Sequence, residues 1–264
     1  MSGLRYVYAI CRPFSTPLQA ELTGVAGGPP KLLRHGGLVA VVSSVPEEDF
    51  AEAPLRAHLE DLDWLGATAR GHQSVIDALT VVTSPLPLRL ATVFRDDSGV
   101  RVMMQEREEA FLRTLDRLDG RVEWGVKVYA EQSEASGGSR SPETSPEASP
   151  AGAGGAARSG RDYLRQRRMQ RQAHEDRWEQ AEAFAQRFHT TLREHAEDAR
   201  VHAPQNAALS GVPGRNVLNA AYLVPRSRSE AFVELVDRTK DEAGPMRVEL
   251  TGPWAAYSFS GEQT

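Results

Sequence analysis

Hydrophobic positions along this chain recur with two periods, and the switches between them outline the fold. Tyr6-Val7-Tyr8-Ala9-Ile10 and Leu38 to Val42 are aromatic and β-branched tracts of strand length. Between them, Gly27-Gly28-Pro29-Pro30 and Gly36-Gly37 read as loop. From Pro54 the spacing becomes helical: Leu55, Leu59, Leu62, Leu65, Ala69, His72, Ile76 and Leu79 lie three or four apart, which predicts one long amphipathic helix with Pro54 in its first turn. Pro85 and Pro87 end it and leave Leu86 to Phe94 as a proline-interrupted extended segment, suited to a sheet edge. A second helix carries Met104, Glu108, Phe111, Leu115 and Leu118 and ends at Gly120. Then Val122, Trp124, Val126 and Val128 alternate with Arg121, Glu123, Gly125 and Lys127, predicting a strand with one face on a core and the other toward water or a partner.

After residue 160 a helical region runs from about Arg161 to Arg200, with Trp178, Ala181, Ala185, Phe188, Leu192, His195 and Ala199 on one stripe. Asn219 to Val224 reads as a strand, Ser229 as the N-cap of a helix carrying Phe232, Leu235, Val236 and Thr239, and Met246, Val248 and Leu250 as a last alternating strand. Each half closes with an amphipathic helix feeding an alternating strand. The expected fold is α+β: two domains with mainly antiparallel sheets and helices covering one face of each, as ferredoxin-like variants, the second with an added long N-terminal helix.

Composition divides the chain. Ser, Gly, Ala and Pro fill 22 of the 30 positions from 131 to 160, where no large apolar residue occurs, so this tract cannot offset its own ordering entropy by burial. The expected organisation is therefore an N-terminal domain at 1–130, a disordered linker at 131–160 with a reach of about 30 Å, and a C-terminal domain at 161–264. The formal net charge is −5, which argues against general attraction to polyanions. One local exception stands out: Arg158, Arg161, Arg165, Arg167, Arg168 and Arg171 have only Asp162 as a nearby acid. They read either as a nucleic-acid or acidic-partner contact or as a solvated helix start. No segment is apolar over the roughly 20 residues needed to span a bilayer, and Met1 to Arg12 lacks the features of a signal peptide. A cytoplasmic protein is expected.

Chemistry-bearing motifs are scarce. The lone Cys11 removes intrachain disulfides and multi-cysteine zinc sites. Neither a G-x-S-x-G elbow nor a phosphate-binding glycine loop with its lysine occurs. His189 and His195 are six residues apart, about 240° around a helix, so they cannot share a metal ion, and His195 reads as a packed residue of the apolar stripe. Glu47, Glu48, Asp49, Glu52, Glu60, Asp61 and Asp63 flank a helix start and read as solvated surface. No catalytic, cofactor or metal residue emerges.

Several strings taken in order resemble the gas vesicle protein family GvpL/GvpF. They are Tyr6-Val7-Tyr8, Trp64-Leu65, Ala69-Arg70-Gly71-His72, Leu86-Pro87-Leu88-Arg89 with Thr92-Val93-Phe94, and Gly120 to Tyr129. The second half adds Asn219-Ala220-Ala221-Tyr222-Leu223-Val224 and Leu250-Thr251-Gly252-Pro253-Trp254 through Phe259. Leu90-Ala91 stands where Phe-Gly is common, and Ala255-Ala256 where Pro-Pro is common. The resemblance implies a non-enzymatic minor component of gas vesicles that binds the hydrophobic shell protein GvpA and limits its aggregation during nucleation, alongside other accessory gas vesicle proteins. Partner contacts are expected from sheet faces or edges near Leu86 to Phe94 and Val122 to Tyr129, with Arg89, Phe94, Trp124 and Tyr129 as candidates. Trp124, in register with three valines, reads more readily as core than as contact, and Arg89 equally as a structural ion-pair donor. The tail Trp254-Tyr257-Phe259 is expected to pack against the second domain. Two competing readings are a hydrolase whose site is dispersed in sequence, marked by a Ser, His and carboxylate meeting in a cleft, and an RNA-binding module using the arginines at 158–171.

Overall fold

The first sheet is built on β1 (Leu4–Cys11), whose antiparallel neighbours are β3 (Leu38–Val45) and the very short β4 (Leu86–Pro87) and β5 (Val93–Phe94). The computed structural model describes residues 3–130, 160–204, 214–244 and 246–261, so the stretch 131–159, which contains nearly all of the expected linker, lies outside the described residues. An additional strand, β2 (Lys31–His35), occupies what the glycines and prolines suggest is loop. It pairs with β3 across the two-residue turn Gly36-Gly37, with Gly36 at φ 56°. Only Leu33 of this strand is buried, so cations and a single inward leucine conceal its alternation.

Helices cover both faces of this sheet, a departure from the one-sided packing expected. The predicted long helix from Pro54 is three pieces: α1 (Glu47–Phe50), α2 (Glu52–His58) and α3 (Leu62–Val82). Asp61 interrupts it, because its carboxylate accepts the backbone N–H groups of Asp63 and Trp64 and so starts α3 afresh. Val75, Ile76 and Leu79 of α3 pack with Phe50 on Tyr6, Tyr8, Ala9 and Cys11. The opposite face carries Val7, Ile10, Leu33, Ala40 and Val42. These meet Val100 and Met104 of α4 (Asp97–Glu106) and Phe111 and Leu115 of α5 (Glu108–Leu118).

The second sheet corrects the expected boundary at 130. Strand β6 (Arg121–Ala130), placed by sequence in the first domain, pairs antiparallel with β8 (Arg215–Pro225) and β9 (Met246–Trp254), and β7 (Asp198–Val201) pairs with β8. The strand order is β7-β8-β6-β9. With α6 (Gly160–Glu194) after β6 and α7 (Ser229–Glu242) after β8, the chain order is β-α-β-β-α-β, a ferredoxin-like unit whose first strand precedes the compositional break. The first sheet repeats the order as β2-β3-β1-β4, with only a 3₁₀ turn at Val25–Gly27 between its first two strands.

Phe184, Ala185, Phe188 and Leu192 of α6, with Phe232 and Val236 of α7, pack on Val122, Trp124, Val126 and Val128. The stripe stops there. Helix α6 ends at Glu194, so Ala199 lies in β7 and His195 is exposed, its Nδ1 3.0 Å from the carbonyl oxygen of Thr191. His189 is the packed histidine, 2.7 Å from the Tyr222 hydroxyl. Ser229 is the first residue of α7 and not its cap; its hydroxyl accepts the Trp124 indole N–H at 3.3 Å.

The two units share a core. Ala221 and Leu223 of β8, with Ala256 and Phe259 from the C-terminal turn, join the cluster that α4 and α5 form on the first sheet. Tyr257 packs on the α3 side. The tail thus binds the first unit to the second and does not pack on the second alone.

Candidate functional site

The Leu86–Phe94 segment forms an edge, as its prolines predict, and its turn presents Arg89 to solvent. The turn is closed by the Arg89 carbonyl, which accepts from the Thr92 hydroxyl at 2.7 Å and from the Thr92 N–H at 3.3 Å. Ala91 holds φ 63°, a left-handed conformation that favours glycine, and its N–H donates to the buried Tyr6 hydroxyl at 3.1 Å. The turn thus favours glycine at this position, and this chain strains an alanine into it.

The other three candidates are positioned differently. Phe94 is half-buried against the first core beside Gly99. Trp124 is 8% exposed and lies in the helical core of the second sheet. Tyr129 is 2% exposed, with the Arg247 guanidinium 4.8 Å over its ring. Burial commits Trp124 and Tyr129 to the fold, so neither offers a surface anchor in this conformation. They also lie on opposite faces of β6, which has a strand on each side and therefore no edge. Arg89 and Phe94 share the Leu86–Phe94 segment, Arg89 exposed in its turn and Phe94 half-buried in β5.

A polar cluster that pattern reading missed lies where the C-terminal turn crosses β6. Glu123 accepts two hydrogen bonds from Ser258, one from its N–H and one from its hydroxyl, each at 2.7 Å. His202 Nε2 is 3.1 Å from the same hydroxyl. Burial pushes the Glu123 carboxyl above the usual carboxylate range, opposed by the Ser258 hydrogen bonds and by Arg200. Alternation assigns Glu123 to a solvated face; only the strand register, with Leu223 and Trp254 on either side, shows that this face is covered.

A serine, a histidine and a carboxylate thus do meet, but they are not wired for nucleophilic attack. In such a triad the carboxylate orients the histidine, which takes the serine proton. Here the carboxylate holds the serine directly, and His202 is left to donate to it. The adjoining depression, lined by Pro87, Leu88, Arg89, Tyr257 and Ser258, has a volume of about 150 Å³. Ligand pockets typically span about 300–1,000 Å³. The cluster is a latch: it fastens the turn carrying Phe259 to β6, assisted by Tyr257, whose hydroxyl donates to Gln73 at 3.2 Å. The Arg117–Asp198 ion pair and an Arg226 hydrogen bond to the Thr80 carbonyl at 3.0 Å complete the junction.

Among the described residues no group of three or more His, Cys, Asp or Glu side chains is placed to hold a metal ion, and no helix is long and apolar enough to cross a membrane. Of the basic cluster, Arg165, Arg167, Arg168 and Arg171 lie exposed on the first half of α6; Arg158 and the Arg161 side chain fall outside the described residues.

These features define a two-unit α+β protein with a shared core, an exposed edge turn and a latched C-terminus. The chain belongs to the gas vesicle synthesis protein GvpL/GvpF family, whose model matches residues 4–261. It is 57% identical over 258 residues to gas vesicle protein L of Streptomyces sp. (strain CB03234), covering 98% of this chain and 93% of that protein. Gas vesicle protein F of the same strain is 29% identical over 275 residues, covering 96% and 98%. In fold it is similar to the crystal structure of GvpF from Anabaena sp. PCC7120, with a TM-score of 0.66 at 17% identity, covering 100% of this chain and 98% of that one. GvpF from Microcystis aeruginosa gives a TM-score of 0.66 at 18% identity, covering 99% and 100%. Family membership supports a role in gas vesicle assembly in association with other gas vesicle proteins; this is not a known enzyme family.

Proposed function

We propose that this protein holds the gas vesicle shell protein GvpA stoichiometrically and limits its self-association while vesicles nucleate. A small, strongly hydrophobic β-forming subunit exposes edges that pair with further copies of itself, and a binder that caps an edge blocks this without chemistry. The observation that carries the reading is the β4–β5 edge, where two strands of only two residues each flank a solvent-facing turn bearing Arg89, within a family dedicated to gas vesicles. Short edge strands leave backbone groups near the turn for a partner, and Arg89 supplies a planar set of donors beside them.

The test is co-expression of full-length protein with GvpA, reading soluble shell protein and its co-purification. Wild type is expected to raise both, and Arg89→Glu to lower them while leaving the circular dichroism spectrum and melting temperature unchanged. Shell protein that stays equally insoluble with and without the wild-type chain would end the proposal.

A further inference from the structure

Helix α6 is 35 residues long, about 52 Å, yet only its second half is packed. Ala181, Phe184, Ala185, Phe188 and Leu192 are buried against the second sheet. Toward the start, every described side chain from Leu164 to Arg177 is exposed. On the helical wheel Leu164, Arg167, Arg168 and Arg171 fall within an arc of about 100°, with Arg165 at its margin. None of these arginines makes an ion pair with a described residue, and Leu164, 65% exposed, lies among them. This is a basic helix face with an apolar component and no partner among the described residues.

Its complement lies on the same chain. Glu47, Glu48, Glu60 and Asp63 at the starts of α1 and α3 are exposed and form no ion pair among the described residues, and Leu59 and Leu62 stand exposed between them. Among the described residues no ion pair joins the two patches: α1 to α3 pack on the first sheet, and α6 packs on the second through its other half.

We infer that the first half of α6 docks on the α1–α3 acidic surface of a second copy of this chain. The fit is in both charge and apolar content: phosphates of a nucleic acid would reward the arginines but leave Leu164 unused, whereas Leu59 and Leu62 match it. The contact joins unlike surfaces, so a dimer retains one free surface of each kind, and association continues past the dimer or closes into a ring. This stands apart from shell-protein holding and uses other residues.

Sedimentation velocity on the full chain tests it. At about 100 µM protein and about 50 mM salt, species larger than a dimer are expected, reverting to monomer at about 500 mM salt as the charges are screened. Arg167→Glu/Arg171→Glu and Glu60→Lys/Asp63→Lys should each weaken self-association by roughly tenfold or more. Mixing the two variants should restore a one-to-one complex, because one native pair of surfaces is then present, and that rescue excludes misfolding as the cause. A wild-type chain that is monomeric at low salt overturns the inference. So does failure of the mixture to reassemble, or a monomeric chain that binds labelled RNA with a steep salt dependence lost in Arg167→Glu/Arg171→Glu.

Discussion

Acidification should destabilise this protein chiefly through His72, with His189, whose pKa burial also lowers, acting in the same sense. The His72 ring is 3% exposed beneath the first sheet, its Nδ1 lies 2.9 Å from the Tyr6 hydroxyl, and its Nε2 has no partner among the described residues. The Tyr6 hydroxyl also accepts the Ala91 N–H, and burial keeps the imidazole neutral. Burial lowers the pKa of His72 from the ordinary value of 6.5 to about 4. The unfolded chain therefore takes up the proton first. Stability is complete above the unfolded value and declines as pH falls from 6.5 toward 4. One pKa unit corresponds to about 1.4 kcal/mol, so the decline attributable to His72 is about 2 kcal/mol at pH 5 and about 3 kcal/mol once the folded value is passed. Glu123 acts in the opposite sense: its raised pKa contributes stability at low pH that is lost as pH rises through its folded value. A single pH series would mix the two, so the comparison is between wild type and His72→Phe. Urea unfolding followed by tryptophan fluorescence at pH 7 and pH 5 should show wild type losing about 2 kcal/mol more than the variant. Equal losses in the two proteins, or a His72 ring that titrates near 6.5 by NMR, would refute the reasoning.

Other substitutions probe the packing. Ala91→Gly should raise stability by about 1 kcal/mol in thermal or urea unfolding, since it relieves a left-handed alanine; a decrease would mean that the turn is not strained. Gly71→Ala should be destabilising although it lies inside α3, where alanine is ordinarily favoured by about 1 kcal/mol. The added Cβ would lie 3.2 Å from the Val25 nitrogen and 3.3 Å from the Gly24 backbone, and a gain in melting temperature would show that this loop yields. Glu123→Ala leaves the Ser258 N–H and hydroxyl without their acceptor and should cost about 1–3 kcal/mol, with faster hydrogen exchange confined first to the C-terminal turn. Cys11 is fully buried and its thiol is pushed up to about 12, so it should react with a thiol reagent only on unfolding; rapid labelling of native protein would contradict that placement.

What sequence reveals about this fold is mostly local. Alternation in Val122, Trp124, Val126 and Val128 identifies β6 directly, but nothing in it says that the partners are residues 215–225 and 246–254. The compositional break after Ala130 invites a domain boundary there, although it lies within the connection between the first strand and first helix of the second unit. Asp61 was legible only as an acid near a helix start, while its actual role as a cap divides the helix. The stripe on α6 overran by one turn because His195 and Ala199 preserve its spacing after the chain has left the helix. Glu123 could not be recognised at all: a carboxylate on the polar face of a strand becomes a latch only when a segment 135 residues away lies across it. Arg89 came from resemblance, and periodicity alone would not single it out.

The division of labour between the halves is better posed as a question about surfaces. The first sheet is covered by α3 on one face and by α4 and α5 on the other, and β6 is flanked by strands on both sides. A partner that adds to this protein must therefore use the edge strands β2, β7 and β9, the β4–β5 segment, turns or the outer sides of helices. The β4–β5 turn meets that condition and the interior of β6 does not. Because Phe259 and the β8 residues Ala221 and Leu223 are built into the core of the first unit, cutting the chain between the units would expose that core and create sticky surface of its own. Assigning partner contacts to one half by truncation would then report the damage to the shared core. Point changes at exposed positions such as Arg89 avoid that confusion, since they alter the surface while leaving the junction between the sheets intact.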